Sequence, residues 1–135
     1  MRNHDGHVEI KNPARVHQFI NYEGMEYDGC MPTDIDAFHE YNRNYIIYEY
    51  KYGSKDMPLG QRIAFEHAVD DWRRAGRNAA VFLCSHNVGD PKDDVRGAEA
   101  IVTSVYFDGR WQPGAGRTVT EMTRSFLDWC QALGT

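Results

Sequence analysis

The feature that most restricts the fold is a run of three patterns between residues 34 and 84: a β-hairpin, an amphipathic helix and an apolar strand. Residues 35–41 alternate, and residues 45–51 form a β-branched and aromatic run. Asn42, Arg43 and Asn44 between them read as a turn. A loop centred between Asn42 and Arg43 sets Asp36 opposite Glu49 and Asp34 opposite Lys51, with thirteen positions separating Asp36 from Glu49. Strand periodicity then places Asp34, Asp36, Glu49 and Lys51 on one face. Directly opposed carboxylates repel each other, and a divalent cation reverses that sign.

Downstream, residues 58–75 carry Phe65, Ala68, Val69 and Trp72 at helical spacing, with Gly76 as a stop. Gln61 lies four residues before Phe65, so its amide falls on the buried stripe and needs a partner, which a metal-bound water, a phosphate or one of the carboxylates would supply. A first-turn glutamine that simply faces solvent is the equal alternative. Residues 78–84 (Asn-Ala-Ala-Val-Phe-Leu-Cys) form an apolar run without alternation, as expected of a strand covered on both faces. A strand, a helix and a strand in that order imply a crossover and parallel pairing. The expectation is therefore an α/β (α+β) fold with a mixed central β-sheet flanked by helices.

After a polar loop at residues 86–97, residues 100–107 alternate into another strand, and Asp108-Gly109-Arg110 turns it toward Trp111. Thr118 and Glu121 are spaced as a capping box ahead of a stripe of Met122, Phe126, Trp129 and Leu133. The N-terminal third is less patterned. Asn12-Pro13 opens a short predicted helix through Ile20, and residues 22–31 read as strand or loop.

The chain of 135 residues is long enough for one domain spanning 1–135, and no segment has the length and apolarity of a membrane span or the core of a signal peptide. Three cysteines without C-x-x-C spacing suit reduced thiols in a cytoplasm, with Cys84 and Cys130 as small core residues. Of the six histidines only His4 and His7 have a ligand-like spacing, and zinc is not expected. His39 projects from the face opposite Asp36, while His86 and Asn87 sit just past a strand end. A net charge of −5 argues against a strong sequence-independent clamp on nucleic acid. Lys51, Lys55, Arg62, Arg73, Arg74 and Arg77 nonetheless give a local basic bias, partly offset by Glu66 and Asp70 at helical spacing.

The string Pro32-Thr-Asp-Ile-Asp36 followed by Glu49-Tyr-Lys51 resembles the PD-(D/E)XK nuclease superfamily, which includes type II restriction enzymes, Holliday-junction resolvases and RecB-type nucleases. The resemblance implies a restriction-endonuclease-like core and metal-dependent hydrolysis of DNA phosphodiesters. It assigns Asp36 and Glu49 as ligands of Mg²⁺ (Mn²⁺ as the substitute), Lys51 as the catalytic lysine, Gln61 as an orienting residue and the Tyr50 backbone carbonyl as a further ligand. Asp34 is either an additional ligand or a polar neighbour that orients Lys51. The acid that the family commonly supplies from an N-terminal helix has no clear equivalent, and Glu23 and Glu26 are the candidates, with Glu9 behind them. Lys55 and Arg62 are the candidate contacts to nucleic acid. A small stand-alone domain of this type suits a phage, prophage or mobile-element protein.

Two other readings compete. One is a nuclease-derived binding or inhibitor module that engages a protein, or a second copy, through a tyrosine-rich surface including Tyr22, Tyr27 and Tyr41, with Trp111; the chain has eight tyrosines. The other is a structural subunit whose hairpin acids are solvated. Carboxylates of Asp36 and Glu49 held far apart, or Lys51 on the other sheet face, would remove the enzyme reading.

Overall fold

The computed structural model describes residues 19–133. The chain divides into two units, Met1–Pro32 and Thr33–Thr135. In the first, the described residues form turns: Met25 N–H donates to the Tyr22 carbonyl, and Tyr27 and Cys30 make an isolated antiparallel bridge. The end of the predicted helix at Phe19 and Ile20 has no regular structure, and the rest of that helix, with His4, His7 and Glu9, lies outside the described residues.

The second unit is a five-stranded mixed sheet with a helix on each face. In chain order the elements are β1 (Ala37–Tyr41), β2 (Asn44–Tyr52), α1 (Leu59–Arg74), β3 (Ala79–His86), β4 (Ile101–Phe107), β5 (Arg110–Pro113) and α2 (Val119–Ala132). Spatial order follows chain order, with β2 and β3 parallel and the other neighbours antiparallel. This is the α+β sheet flanked by helices expected from the sequence, and the β2–α1–β3 crossover is the reason for the one parallel pair.

The β1–β2 hairpin has the expected register, with Ala37 opposite Tyr48 and Tyr41 opposite Asn44. Its two-residue loop places Asn42 at φ 49° and Arg43 at φ 63°. Positive φ at both loop positions matches the right-handed twist of the flanking strands. Arginine adopts that φ at a cost, and the Glu40 carboxylate offsets it by accepting the Arg43 N–H at 2.9 Å.

The core divides by strand parity. Ile46, Tyr48, Ala80, Phe82, Cys84 and Val102 pack on the α2 side. Ile47, Val81, Leu83 and Tyr106 pack with Phe65 and Val69 of α1 on the other side. Because β3 is covered on both faces, Ala79 to Cys84 are all buried, which accounts for its unbroken apolar run. The capping box at the start of α2 is present, Glu121 N–H donating to Thr118 Oγ1 at 3.2 Å and Thr118 N–H to Glu121 Oε1 at 2.9 Å.

Two boundaries differ from the sequence pattern in ways that bear on the site. β1 begins at Ala37 rather than at residue 35, because the Asp36 carboxylate accepts the Tyr50 N–H at 2.8 Å, occupying the donor that a longer ladder would have paired with Ile35. The ladder that would set Asp34 opposite Lys51 is therefore not continued. β3 runs on to His86, and its pairing with β4 shifts register between Leu83 and Cys84. Thr103 is the extra residue of this bulge, and its hydroxyl donates to the Leu83 carbonyl at 3.1 Å.

Among the described residues, no helix is long and apolar enough to cross a membrane.

Candidate functional site

Glu49 and Lys51 are two apart on β2 and therefore share a face. Their parity is that of Ile47, so the face is the one under α1. The Lys51 ammonium donates to Glu49 Oε2 at 2.9 Å, and Lys51 keeps 22% of its side-chain surface exposed against 4% for Glu49. Asp36 precedes β1; its carboxylate is held by the Tyr50 N–H, next in the chain to Glu49, and its charge acts on Glu49. The Glu49–Lys51 pair therefore has the second acid as a neighbour.

Gln61 comes from the first turns of α1. Its Nε2 donates to the Asp34 backbone carbonyl at 3.3 Å, so the partner expected for this amide is a main-chain group in the segment leading into β1. Sequence reasoning missed Asp34 in this role because a carbonyl carries no side-chain signature. The bond leaves Gln61 Oε1 buried and without a hydrogen-bond partner, and Glu49 Oε1 is in the same condition. Glu49 as a whole is 3% exposed. A buried acceptor left unmade costs free energy, and more so when it belongs to a charged group.

The electrostatics agree with this picture. Burial pushes the Glu49 carboxyl above the usual range; the Lys51 hydrogen bond opposes the shift and the neighbouring Asp36 charge adds to it. Cys84, buried beneath the same strands, is pushed up to about 12 by burial, with Asp36 and Glu49 contributing.

For a hard divalent ion the available donors are the carboxylates of Asp36 and Glu49 and the amide oxygen of Gln61. The Tyr50 carbonyl joins them, since a strand projects it to the same edge as the N–H that Asp36 accepts. Two carboxylates with neutral oxygens suit Mg²⁺, which keeps part of its water shell and shares substrate phosphate oxygens. Among the described residues no group of three or more His, Cys, Asp and Glu is disposed to hold an ion, so the donor set rests on two acids and uncharged oxygens.

The remaining candidates fall elsewhere. Glu23 and Glu26 are exposed residues of the first unit, and the Glu23 N–H donates to the Asn21 side chain. Lys55 is exposed in the loop after β2. Arg62 donates Nε to Glu66 Oε2 at 3.0 Å and stands 6.0 Å from the centre of the Trp111 ring, so it is already engaged on the β5 side of α1. Asp70, expected to pair with an arginine, instead accepts from the Tyr106 hydroxyl at 2.8 Å, and Arg73 reaches across to Asp108. His39 packs as the parity argument requires, with Nδ1 3.1 Å from the Tyr48 hydroxyl. His86 Nδ1 accepts the Val88 N–H at 3.1 Å.

No family model, curated protein or solved structure matches this chain.

Proposed function

We propose that this protein is a metal-dependent DNA nuclease that hydrolyses phosphodiester bonds at the corner formed by Asp36, Glu49 and Lys51. The observation that carries the reading is the Glu49 carboxylate: 3% exposed, acted on by the charge of a second acid, Asp36, and with Oε1 lacking any hydrogen-bond partner, as Gln61 Oε1 does on α1. An arrangement that serves the fold alone gains nothing from this. Replacing such groups by apolar ones of similar shape is commonly neutral or stabilising. A divalent cation and a phosphate ester together would satisfy each of these groups. The resemblance of Pro32 to Asp36 and Glu49 to Lys51 to the PD-(D/E)XK pattern supports the same chemistry.

Asp36, Glu49, Gln61 Oε1 and the Tyr50 carbonyl would hold Mg²⁺ or Mn²⁺. When bound, such an ion polarises a non-bridging phosphate oxygen and lowers the pKa of a coordinated water. Lys51 uses one of its three N–H donors on Glu49, leaving two for a phosphate oxygen, where its charge offsets the negative charge that develops during attack. The Asp34 carbonyl fixes the Gln61 amide by its nitrogen and leaves its oxygen buried and unpartnered. The Tyr50 N–H fixes the Asp36 carboxylate, which limits its rotation before substrate arrives.

The test is cleavage of fluorescent single-stranded, duplex and branched DNA in Mg²⁺, Mn²⁺ or EDTA. Asp36→Asn and Lys51→Ala are each expected to lose about 10²- to 10³-fold in rate while keeping the wild-type circular dichroism. Cleavage that survives EDTA or both substitutions, or a complete lack of cleavage and of cation binding by calorimetry, refutes the reading.

A further inference from the structure

Beside the acid corner, the same face of the sheet carries a crease that no sequence pattern announced. It lies between the loop after β2, α1 and strands β3 to β5, and it comprises two adjoining cavities of about 240 and 170 Å³ that share Asp56, Leu83 and Ser104. The larger is lined by the hydroxyls of Ser54 and Ser104 beside Lys55, while Ser85 and Thr103 on its wall already donate to the carbonyls of Gly53 and Leu83. The bulge at Thr103 brings the consecutive residues Thr103 and Ser104 to line one cavity, which an unbroken strand would have turned to opposite faces. The smaller cavity ends on Arg62 and Trp111. That end is held rigidly, because Glu66 Oε2 accepts both Arg62 Nε at 3.0 Å and Trp111 Nε1 at 2.6 Å.

We propose that this crease binds a single-stranded segment of polynucleotide, with hydroxyls and Lys55 on the sugar–phosphate backbone and an unstacked base against Arg62 and Trp111. The proposal rests on the reading of the acid corner as a phosphodiester-cutting site and names the form of its substrate. Hydroxyl groups with an interspersed cation are the usual donors to phosphate oxygens, and they position a strand without reading its sequence. Aromatic and guanidinium planes take bases only where those bases are splayed out of a duplex. Asp56 is the one acid shared by both cavities, and its Oδ1 is occupied by the Met57 N–H at 2.9 Å. Arg62 is paired with Glu66, so Lys55 is the cation of the crease left to meet a phosphate, and Asp56 balances it in charge.

The distance to the acids fits one continuous strand. Leu83 is the register partner of Glu49, and Ser104 that of Leu83. Ser104 is therefore two strand spacings, roughly 10 Å, from Glu49. Three nucleotides cover that distance at the ~3.4 Å rise of a stacked strand.

The experiment measures binding of fluorescein-labelled oligo(dT), oligo(U) and a duplex hairpin by anisotropy, with the full chain in the Asp36→Asn background and MgCl₂. Trp111→Leu is expected to weaken oligo(dT) binding by about 5- to 100-fold, the range for loss of one stacked base, with little change for the duplex. Trp111 contributes to packing, so the exposed Lys55→Ala supplies the second measurement: the slope of log affinity against log salt falls in magnitude by about 0.7, one single-strand phosphate contact. Oligo(U) behaving like oligo(dT) supports the same site, since the backbone is common to both. An unchanged salt slope, duplex and single strand weakening alike, or no oligonucleotide binding at all overturns the crease. Cleavage by the otherwise wild-type chain that is abolished by Asp36→Asn but unaffected by the crease substitutions removes the crease and keeps the acid corner. Crease-dependent binding without cleavage in any metal upholds the crease and removes the hydrolysis.

Discussion

Replacing Glu49 by glutamine keeps the shape of the side chain and removes its charge, and the structure predicts that the metal-free protein becomes more stable. In the wild type, the Glu49 carboxylate is a buried charge with Oε1 unpartnered and Asp36 adds repulsion; glutamine keeps a polar atom at that place, so what is recovered is the excess cost of the charge over a neutral group, about 1–2 kcal/mol. The substitution also gives up the pairing with Lys51. That loss is about 1 kcal/mol or less, because Lys51 retains 22% of its side-chain surface and returns to water. The net expectation for Glu49→Gln at neutral pH is a gain of about 1 kcal/mol, or roughly 3–5 °C in Tm for a chain of this size. The pH dependence has a definite sign. Burial, reinforced by Asp36 and opposed by Lys51, raises the Glu49 pKa in the folded state, so the fold binds a proton that the unfolded chain releases. The resulting stability is fully present below the ordinary carboxylate range and is lost as pH rises through the raised folded value. The advantage of the glutamine variant therefore grows from acid to neutral pH. Magnesium acts in the opposite direction, stabilising the wild type by about 2.7 kcal/mol at a hundred times its Kd, and leaving Glu49→Gln nearly unmoved. Urea titrations across pH, with MgCl₂ or EDTA, measure every arm. A variant less stable than wild type in EDTA at neutral pH, or one that Mg²⁺ stabilises equally, refutes the reasoning.

Gln61→Leu should retain folding within about 1 kcal/mol, since it removes one hydrogen bond to the Asp34 carbonyl together with an unpartnered oxygen, yet lose nuclease activity by about tenfold or more; an active Gln61→Leu excludes that residue from the site. Gly114→Ala places a methyl group 1.8 Å from the Val102 carbonyl oxygen, and a loss of about 3 kcal/mol or more is expected by chemical denaturation, the upper end for overpacking. Thr118→Ala breaks the capping box of α2 and should cost about 1 kcal/mol, read in the same denaturation assay. Cys30 is exposed while Cys84 and Cys130 are buried with thiols held above their usual range by burial, so a disulfide reagent at mildly alkaline pH should titrate one thiol in native protein and three in urea.

Particular elements show what could be read from the chain and what could not. The hairpin register followed from alternation and a two-residue turn, and the parity that sets Glu49 and Lys51 on one face followed from register alone. α1, the apolar β3 and the capped α2 followed from patterns confined to neighbouring residues. The truncated start of β1 was not legible, because whether Asp36 or a strand carbonyl takes the Tyr50 N–H is decided by competition between two acceptors for one donor. Nor was the bulge at Thr103, since one extra residue in β4 leaves its alternation intact within the error of any period count.

By itself, the sequence determined which residues alternate, which repeat with the period of a helix, and hence the order of strands and helices and the sidedness of Glu49 and Lys51. Only the tertiary structure decided that Glu49 is buried with an unpartnered oxygen, that the Gln61 amide is anchored by the Asp34 main chain, and that Ser54, Ser104 and Trp111 from three separate segments line two adjoining cavities. The physical reason is range. Periodicity is a property of adjacent residues, whereas desolvation and unmade hydrogen bonds depend on what the packing of α1 against the sheet excludes from water.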